Sequence, residues 1–217
     1  MALAIFDLDE TLIDGDCASL WSAYMAKLGW VDGESFLKRD SELMALYSQG
    51  LLAMEDYMAF SLSPLVGRSA EEVAHVVEPF VEDIIEPLIY SDACQCLAKH
   101  RAAGDRLLVI SASGVHLVAP IAERLGIREV LAIELEEQHG CYSGNTLGIL
   151  TYRDGKVKRL QAWLSEQGEN LDGAYFYSDS RNDLPLLSQV DQPRVVNPDA
   201  TLKAHAEQAG WPILSWR

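Results

Sequence analysis

Four short apolar runs, each stopping abruptly at a polar residue, limit the architecture this chain can adopt. Residues 3–8 run through Phe6 into Asp7 and Asp9, residues 106–110 run into Ser111-Ala112-Ser113-Gly114, residues 174–177 run into Ser178-Asp179, and residues 194–196 reach Asn197-Pro198. A continuous apolar run of this kind is the pattern of a strand buried on both faces, as in a parallel sheet. Helical periodicity fills the gaps after residue 88, over about 90–103, 115–125, 156–167, 182–189 and 200–209. Strands alternating with helices predict an α/β fold, a doubly wound parallel sheet whose ligand crevice lies beyond the carboxyl ends of the strands. The polar residues that end the runs are therefore predicted to meet in one place.

One long stretch breaks the alternation. Residues 16–86 read as helices only: Leu20, Trp21, Tyr24, Met25 and Leu28 recur at helical spacing, as do Phe36, Leu37, Leu43, Met44 and Tyr47. Ser69-Ala70-Glu71-Glu72 fits a capping box opening a further helix through Val73, Val76, Val77 and Phe80. Gly33, Gly50 and Gly67 fall between these segments and mark turns. A length of 217 residues suits one core plus a modest insertion. The predicted division is a core of residues 1–15 and 87–217 and an inserted helical domain of residues 16–86, seated over the crevice. Residues 134–154, punctuated by glycines, read as short β-prone pieces forming a hairpin, and the chain has no internal repeat or low-complexity tract.

Charge narrows the partners. The chain carries 33 Asp and Glu against 17 Lys and Arg, a formal net charge of −16, which argues against nucleic acid because backbone binding needs clustered cations. An anionic ligand must instead be drawn in by a metal ion or a buried Lys. The first residues lack the basic flank and long apolar region of a signal peptide, and no apolar run is long enough for a bilayer, so a cytoplasmic protein is expected. Cys17, Cys94, Cys96 and Cys141 show no paired metal-ligand spacing and read as reduced structural thiols. His75, His100, His116, His139 and His205 are scattered and read as surface or helix-end residues, although His116, in the first turn of a helix after the Ser111 loop, is placed to approach a substrate. Asp14, Asp92, Asp154, Glu136 and Glu137 read as solvated loop carboxylates, and Trp21, Tyr24 and Tyr57 as core of the helical insertion.

Asp7-Leu8-Asp9-Glu10-Thr11 puts two carboxylates two residues apart at a strand end, with a turn that lets the second swing over the first. Ser111, Lys156 and the pair Asp179 and Asp183 fall in order at three further strand ends. In these elements the sequence resembles the haloacid dehalogenase (HAD) superfamily, in which four such motifs line one crevice. The insertion after the first motif is similar to the family's type 1 cap. The run Tyr177-Ser178-Asp179-Ser180-Arg181-Asn182-Asp183 is similar to the phosphoserine phosphatase-like branch, subclass IB. The resemblance covers nearly the whole chain and is less specific in the cap.

The chemistry can be built from the charges. A phosphate monoester and Asp7 repel, by roughly 4 kcal/mol for unit charges about 4 Å apart at an effective dielectric near 20, so a cation must lie between them. Asp7 and Asp179 offer hard oxygens suited to Mg²⁺. The resemblance adds the backbone carbonyl of Asp9 as the remaining protein ligand and Asp183 as support, directly or through water. Lys156 is expected to add positive charge on the transferring group, and Ser111 with the backbone of Ala112 and Ser113 to bind its oxygens. Asp7 is expected to form an aspartyl-phosphate, and Asp9 to serve as acid and then base. The resemblance implies that an Asp at position 9 separates phosphatases and phosphomutases from dehalogenases and ion pumps. Thr11 is expected to fix the loop and orient Asp9, at the phosphate end of the site.

A small phosphorylated metabolite of amino-acid biosynthesis is the expected substrate. Asp16 matches the position of a Glu that contacts the substrate amine in phosphoserine phosphatases, while their carboxylate-binding cap arginine has no clear match near Tyr57-Met58-Ala59-Phe60. Histidinol phosphate therefore fits at least as well as phosphoserine. Asp16 is read equally as the N-cap of the first cap helix. Two rivals stay open, a phosphomutase and, in another class, a phospho-receiver signalling domain.

Overall fold

The computed structural model describes residues 2–217; Met1, assigned above to the core, lies outside the described residues. Strand β1 (Leu3–Phe6), buried at all four positions, is the centre of a seven-stranded sheet of order β4-β3-β2-β1-β5-β6-β7. It pairs in parallel with β2 (Arg106–Gly114) on one side, Phe6 opposite Val109, and with β5 (Tyr175–Ser178) on the other, Phe6 opposite Tyr177. The chain leaves β1 toward β2 and returns on the far side as β5, so the carboxyl end of β1 is the switch point where an α/β sheet opens a crevice. Strands β3 (Glu129–Gln138), β6 (Gln192–Val196) and β7 (Ile213–Leu214) extend the sheet in parallel. Only β4 (Cys141–Leu147) is antiparallel, hairpinned to β3 through His139 and Gly140, both at positive φ. The hairpin lies in the segment expected for it, but its first strand starts at Glu129.

Both faces of the sheet are covered, as the unbroken apolar runs require. Leu3, Ile5, Leu108, Ile110 and Phe176 pack with Leu160 and Trp163 of helix α7 (Asp154–Gln167) and Leu202 of α9 (Ala200–Ala209). Ala4, Phe6, Val109 and Tyr177 point the other way, against Leu97 of α5 (Ser91–Ala103) and Ile121 of α6 (Val115–Arg124). The helix expected over 182–189 is shorter, a 3₁₀ turn at Arg181–Asp183 followed by α8 (Leu184–Leu187).

Between β1 and α5 lie α1 (Cys17–Lys27), α2 (Gly33–Ser48), α3 (Met54–Leu62) and α4 (Ala70–Phe80), joined to α5 by short helical turns over Val81–Leu88. The Ser69 hydroxyl accepts the Glu72 N–H at 3.0 Å, capping α4. Helix α3 had no separate sequence signal beyond the general helical character of the stretch; Met54, Tyr57, Met58 and Leu62 make its buried stripe. Trp21, Met25, Leu43, Tyr57 and Phe80 belong to the same apolar cluster as Phe6 and Leu117, so the insertion and one face of the core pack without a break.

A polar chain braces the strand ends from below. Phe6 stacks on Tyr177 with ring centroids 4.6 Å apart. His100, expected at a surface or helix end, sits in the last turn of α5 but is buried, and its two nitrogens lie 2.9 Å from Asp105 Oδ2 and 2.9 Å from the Tyr177 hydroxyl. Ionised Asp105 can only accept, so Nδ1–H donates to it, while Nε2 and the Tyr177 hydroxyl share the second hydrogen bond. Hydrogen bonds from His100 and from the Ala2 N–H hold the Asp105 carboxyl below the usual carboxylate range. A depressed carboxyl pKa contributes stability above the unfolded value, near 3.9, and loses it as pH falls through the folded value. Asp105→Asn is therefore expected to lower Tm at about pH 7, with the gap to the parent protein closing toward about pH 3 in melting curves.

Candidate active site

Strand β1 ends at Phe6, and the Leu8 carbonyl then accepts N–H bonds from Thr11 at 3.3 Å and Leu12 at 2.8 Å, with Glu10 at a φ of 55°. This tight turn, more than strand pleating, brings Asp7 and Asp9 onto one pocket. The Asp7 N–H donates to the Tyr177 carbonyl at 2.9 Å, continuing the β1–β5 ladder to the edge of the crevice. Asp9 is held from two sides: Oδ1 accepts the Cys17 N–H at 2.7 Å, and Oδ2 accepts the hydroxyls of Ser113 at 2.9 Å and Ser111 at 3.4 Å.

Lys156 lies in the first turn of α7 and is fully buried. Its Nζ donates to Asp7 Oδ1 at 2.9 Å and to Asp183 Oδ2 at 2.8 Å, and the Ser178 hydroxyl donates to the same Asp183 oxygen at 2.7 Å. Neighbouring Gly155 has no room for a side chain, since a Cβ there would lie 1.9 Å from the Leu150 carbonyl oxygen. The close approach of the 149–154 loop to the start of α7 thus depends on glycine.

The charges do not balance. Asp7, Asp9, Asp179 and Asp183 face a single ammonium. Burial raises the Asp7 carboxyl to about 7, Asp183 and Asp9 adding to the rise and Lys156 opposing it. Burial, then Asp7 and Asp183, push Asp179 well above the usual range. Burial alone would lower the Lys156 pKa, but Asp183 and Asp7 outweigh it and keep the ammonium charged. Surplus negative charge on hard oxygens is what a divalent cation such as Mg²⁺ relieves. No three Asp, Glu, His or Cys side chains among the described residues form a ready-made cage. Two carboxylates with a backbone carbonyl and waters are the arrangement these residues can offer.

The pocket itself has a volume of about 240 Å³. Asp7, Asp9, Asp179, Ala112 and Ser113 line its floor, and Asp16, Met44, Tyr47, Met54 and Tyr57 its upper walls. Several residues expected here stand one layer back. Thr11 is fully buried and off the pocket; its hydroxyl donates to Asp179 Oδ1 at 3.1 Å and accepts the Asp179 N–H at 3.1 Å, so it positions Asp179 and neither orients Asp9 nor reaches a phosphate. Ser111 is also fully buried, and its hydroxyl accepts the Ser113 N–H at 3.0 Å, bracing the loop from behind. Lys156 and Asp183 likewise lie behind the wall that Asp7 and Asp179 present.

Asp16 meets its N-cap reading and also stands on the pocket. Oδ1 accepts the Ser19 N–H at 2.7 Å as the N-cap of α1, and the carboxylate also lines the pocket. Burial raises it to about 8, reinforced by Asp9 and by Asp40. Asp40, a buried residue of α2 that the sequence did not single out, accepts the hydroxyls of Ser19 at 2.8 Å and Ser22 at 3.1 Å. Arg153 also went unnoticed, and Ser178 and Asn182 were read only as members of the motif run, without partners. The Asn182 amide donates to the Tyr47 carbonyl at 3.3 Å, and the Arg153 guanidinium donates to Asn182 Oδ1 at 3.2 Å and to the Gly50 carbonyl, tying the end of α2 to the core. Side-chain types gave no sign of these long-range ties. The solvated reading holds for Asp14, Asp154 and Glu137, which are exposed, and all four cysteines are free.

With this geometry in view, known proteins are informative. The model of haloacid dehalogenase-like hydrolases matches residues 4–188. The chain is 39% identical to the histidinol-phosphatase of Neisseria meningitidis serogroup C over 99% of both chains. A Bordetella pertussis Tohama I protein of unknown function superposes with a TM-score of 0.92 at 35% identity, over 98% of this chain and 97% of that one. A substrate-bound phosphoserine phosphatase superposes at 0.72 over 98% of this chain and 92% of that one; at 19% identity this is likeness of fold.

Removing the ammonium strands two buried carboxylates, a change that typically costs about 3–5 kcal/mol. Lys156→Met should therefore melt at a markedly lower temperature in EDTA, and adding Asp7→Asn should restore part of the loss. Strictly additive losses in that cycle would show that the Lys156–Asp7 pair carries no coupling.

Proposed function

The chain belongs to the haloacid dehalogenase-like hydrolase family and is a phosphatase, and from this we propose that it hydrolyses a small, amine-bearing phosphate monoester with Asp7 as nucleophile. The observation that carries this reading is the convergence of Asp7, Asp9 and Asp179 on one pocket with Lys156 bonded to Asp7 behind it. Asp7 Oδ1 is engaged by Lys156, leaving Oδ2 to attack phosphorus as the bond to the leaving oxygen breaks. Asp9, clamped by Cys17 and Ser113, gives a proton to the departing alkoxide; it then takes one from the water that attacks the aspartyl-phosphate and releases inorganic phosphate. Ala112 and Ser113 supply the wall on which the phosphoryl oxygens rest. Bound at Asp7, Asp179 and the Asp9 carbonyl, Mg²⁺ would offset the repulsion between nucleophile and phosphate. Thr11 holds Asp179, and Asp183 with Ser178 holds Lys156.

Residues 16–86 act in this scheme as the cap, closing the pocket with Met44, Tyr47, Met54 and Tyr57 and excluding bulk water. Asp16 lines the pocket with no cationic partner, which favours an ammonium on the leaving group. The histidinol-phosphatase relative agrees with such a substrate. Among the described residues no helix is long and apolar enough to cross a membrane, and the free cysteines fit a reducing cytoplasm.

Asp7→Asn should abolish turnover while leaving the circular dichroism spectrum unchanged, because the amide is isosteric but cannot attack. Phosphate release by the parent protein should require Mg²⁺ and vanish in excess EDTA; full activity in EDTA would sink the mechanism. Asp16→Asn tests the amine reading cleanly, since Asn caps a helix about as well as Asp. It should lower kcat/KM for amine-bearing phosphates by about 1.5–3 kcal/mol, with little change for a neutral aryl phosphate. An unchanged kcat/KM on both, or an equal loss on both, would leave Asp16 as the helix cap alone.

A further inference from the structure

Ala18, Tyr57 and Ser113 line both the pocket and an adjoining, smaller cavity of about 20 Å³. Trp21, Tyr57 and His116 line that cavity, and each has a polar atom buried without a hydrogen-bond partner: Trp21 Nε1, the Tyr57 hydroxyl and His116 Nδ1. Among the described residues only five buried side-chain atoms lack a partner, so three gathered on one cavity beside the catalytic pocket are not a random scatter. Buried polar groups are costly to leave unpaired, and such a cluster calls for a partner from outside the chain. The arrangement is also sterically fixed. The His116 ring folds back over Gly114, where a Cβ would meet Nδ1 and Cε1 at 2.7 Å, and Trp21 and Tyr57 are 2% and 5% exposed.

We propose that this cavity is the far end of the substrate site and receives an uncharged hydrogen-bonding heteroatom of the leaving group, remote from the phosphate, making Trp21, Tyr57 and His116 specificity residues. The inference rests on the phosphatase reading above and deepens it. Trp21 Nε1–H can only donate, so the guest must bring a lone pair. The Tyr57 hydroxyl and the His116 imidazole, which burial lowers to about 4 and so keeps neutral, can each donate or accept. The small volume admits the edge of a group, with its body held in the larger pocket between Tyr47, Met54 and Tyr57. A carboxylate fits poorly, because neither cavity is lined by Lys or Arg and Asp16 stands nearby. The favoured leaving group thus carries an amine for Asp16 and, beyond it, a neutral azole nitrogen or a hydroxyl.

The test compares kcat/KM of the full-length protein with Mg²⁺ on three probes: histidinol phosphate (amine and imidazole), O-phosphoethanolamine (amine alone) and phosphoserine (amine and carboxylate). Histidinol phosphate should be preferred over both others. Tyr57→Phe and His116→Leu should each shrink its advantage over O-phosphoethanolamine by about tenfold, the worth of one buried hydrogen bond. A purely structural role would depress both substrates together and leave the ratio unchanged, overturning the proposal; so would a preference for phosphoserine. No turnover of any probe would instead overturn the phosphatase reading, an outcome distinct from turnover without discrimination.

Discussion

Everything at the crevice depends on crowding carboxylates around one ammonium. Asp7 and Asp183 share Lys156, while Asp9 and Asp179 sit beside them with only hydroxyl and N–H donors for company. Left to itself such a cluster would spread apart or protonate. It is held by parts that cost little to make rigid: the central strand β1, the β1–β5 pairing extended by the Asp7 N–H, and the glycine-dependent start of α7. Burial first, and then the neighbouring carboxylates, raise the Asp7 carboxyl to about 7 against the pull of Lys156. In the proposed mechanism a divalent cation and a phosphate group would relieve this crowding together, because their charges compensate each other.

The pocket divides its work between two layers. Its floor belongs to the sheet and holds Asp7, Asp9 and Asp179, whose placement follows from strand order. Its upper walls come from α2 and α3, where Met44, Tyr47, Met54 and Tyr57 present apolar and aromatic surface. Chemistry and selectivity can therefore vary separately. The layers are joined by an unbroken apolar cluster from Phe6 to Trp21 and Phe80, and at the mouth by polar ties from Asn182 and Arg153 to Tyr47 and Gly50.

Residues behind the pocket explain why its front can be strained. Thr11 grips Asp179 by both its backbone and its carboxylate, and Ser111 braces the loop that delivers Ser113 to Asp9. Farther back, Asp105, His100 and Tyr177 form a hydrogen-bonded chain beneath the strand ends, with Phe6 stacked on Tyr177. Each layer restricts the one in front, so the carboxylates are fixed in position before any ligand enters.

The sequence alone determined strands β1, β2, β5 and β6 of the sheet, the helical character of the insertion and the placing of Asp7, Asp9 and Asp179 at strand ends, because these follow from local pattern, whereas the two-residue β7 left no signal. A strand buried on both faces must be apolar throughout, a parallel sheet must alternate with helices, and polar residues at such strand ends must emerge at one edge. Only the tertiary structure decided which polar residue serves which. Thr11 turned from Asp9 to Asp179, Ser111 and Lys156 fell behind the pocket wall, and His100 went inside, because a hydroxyl, ammonium or imidazole takes whichever partner packing brings within reach. Helix α3 and the start of β3 escaped the pattern for the same reason, their burial being set by contacts distant in sequence. The cluster of Trp21, Tyr57 and His116 is the extreme case, since three residues far apart in sequence come together on one cavity only when the insertion folds down onto the sheet.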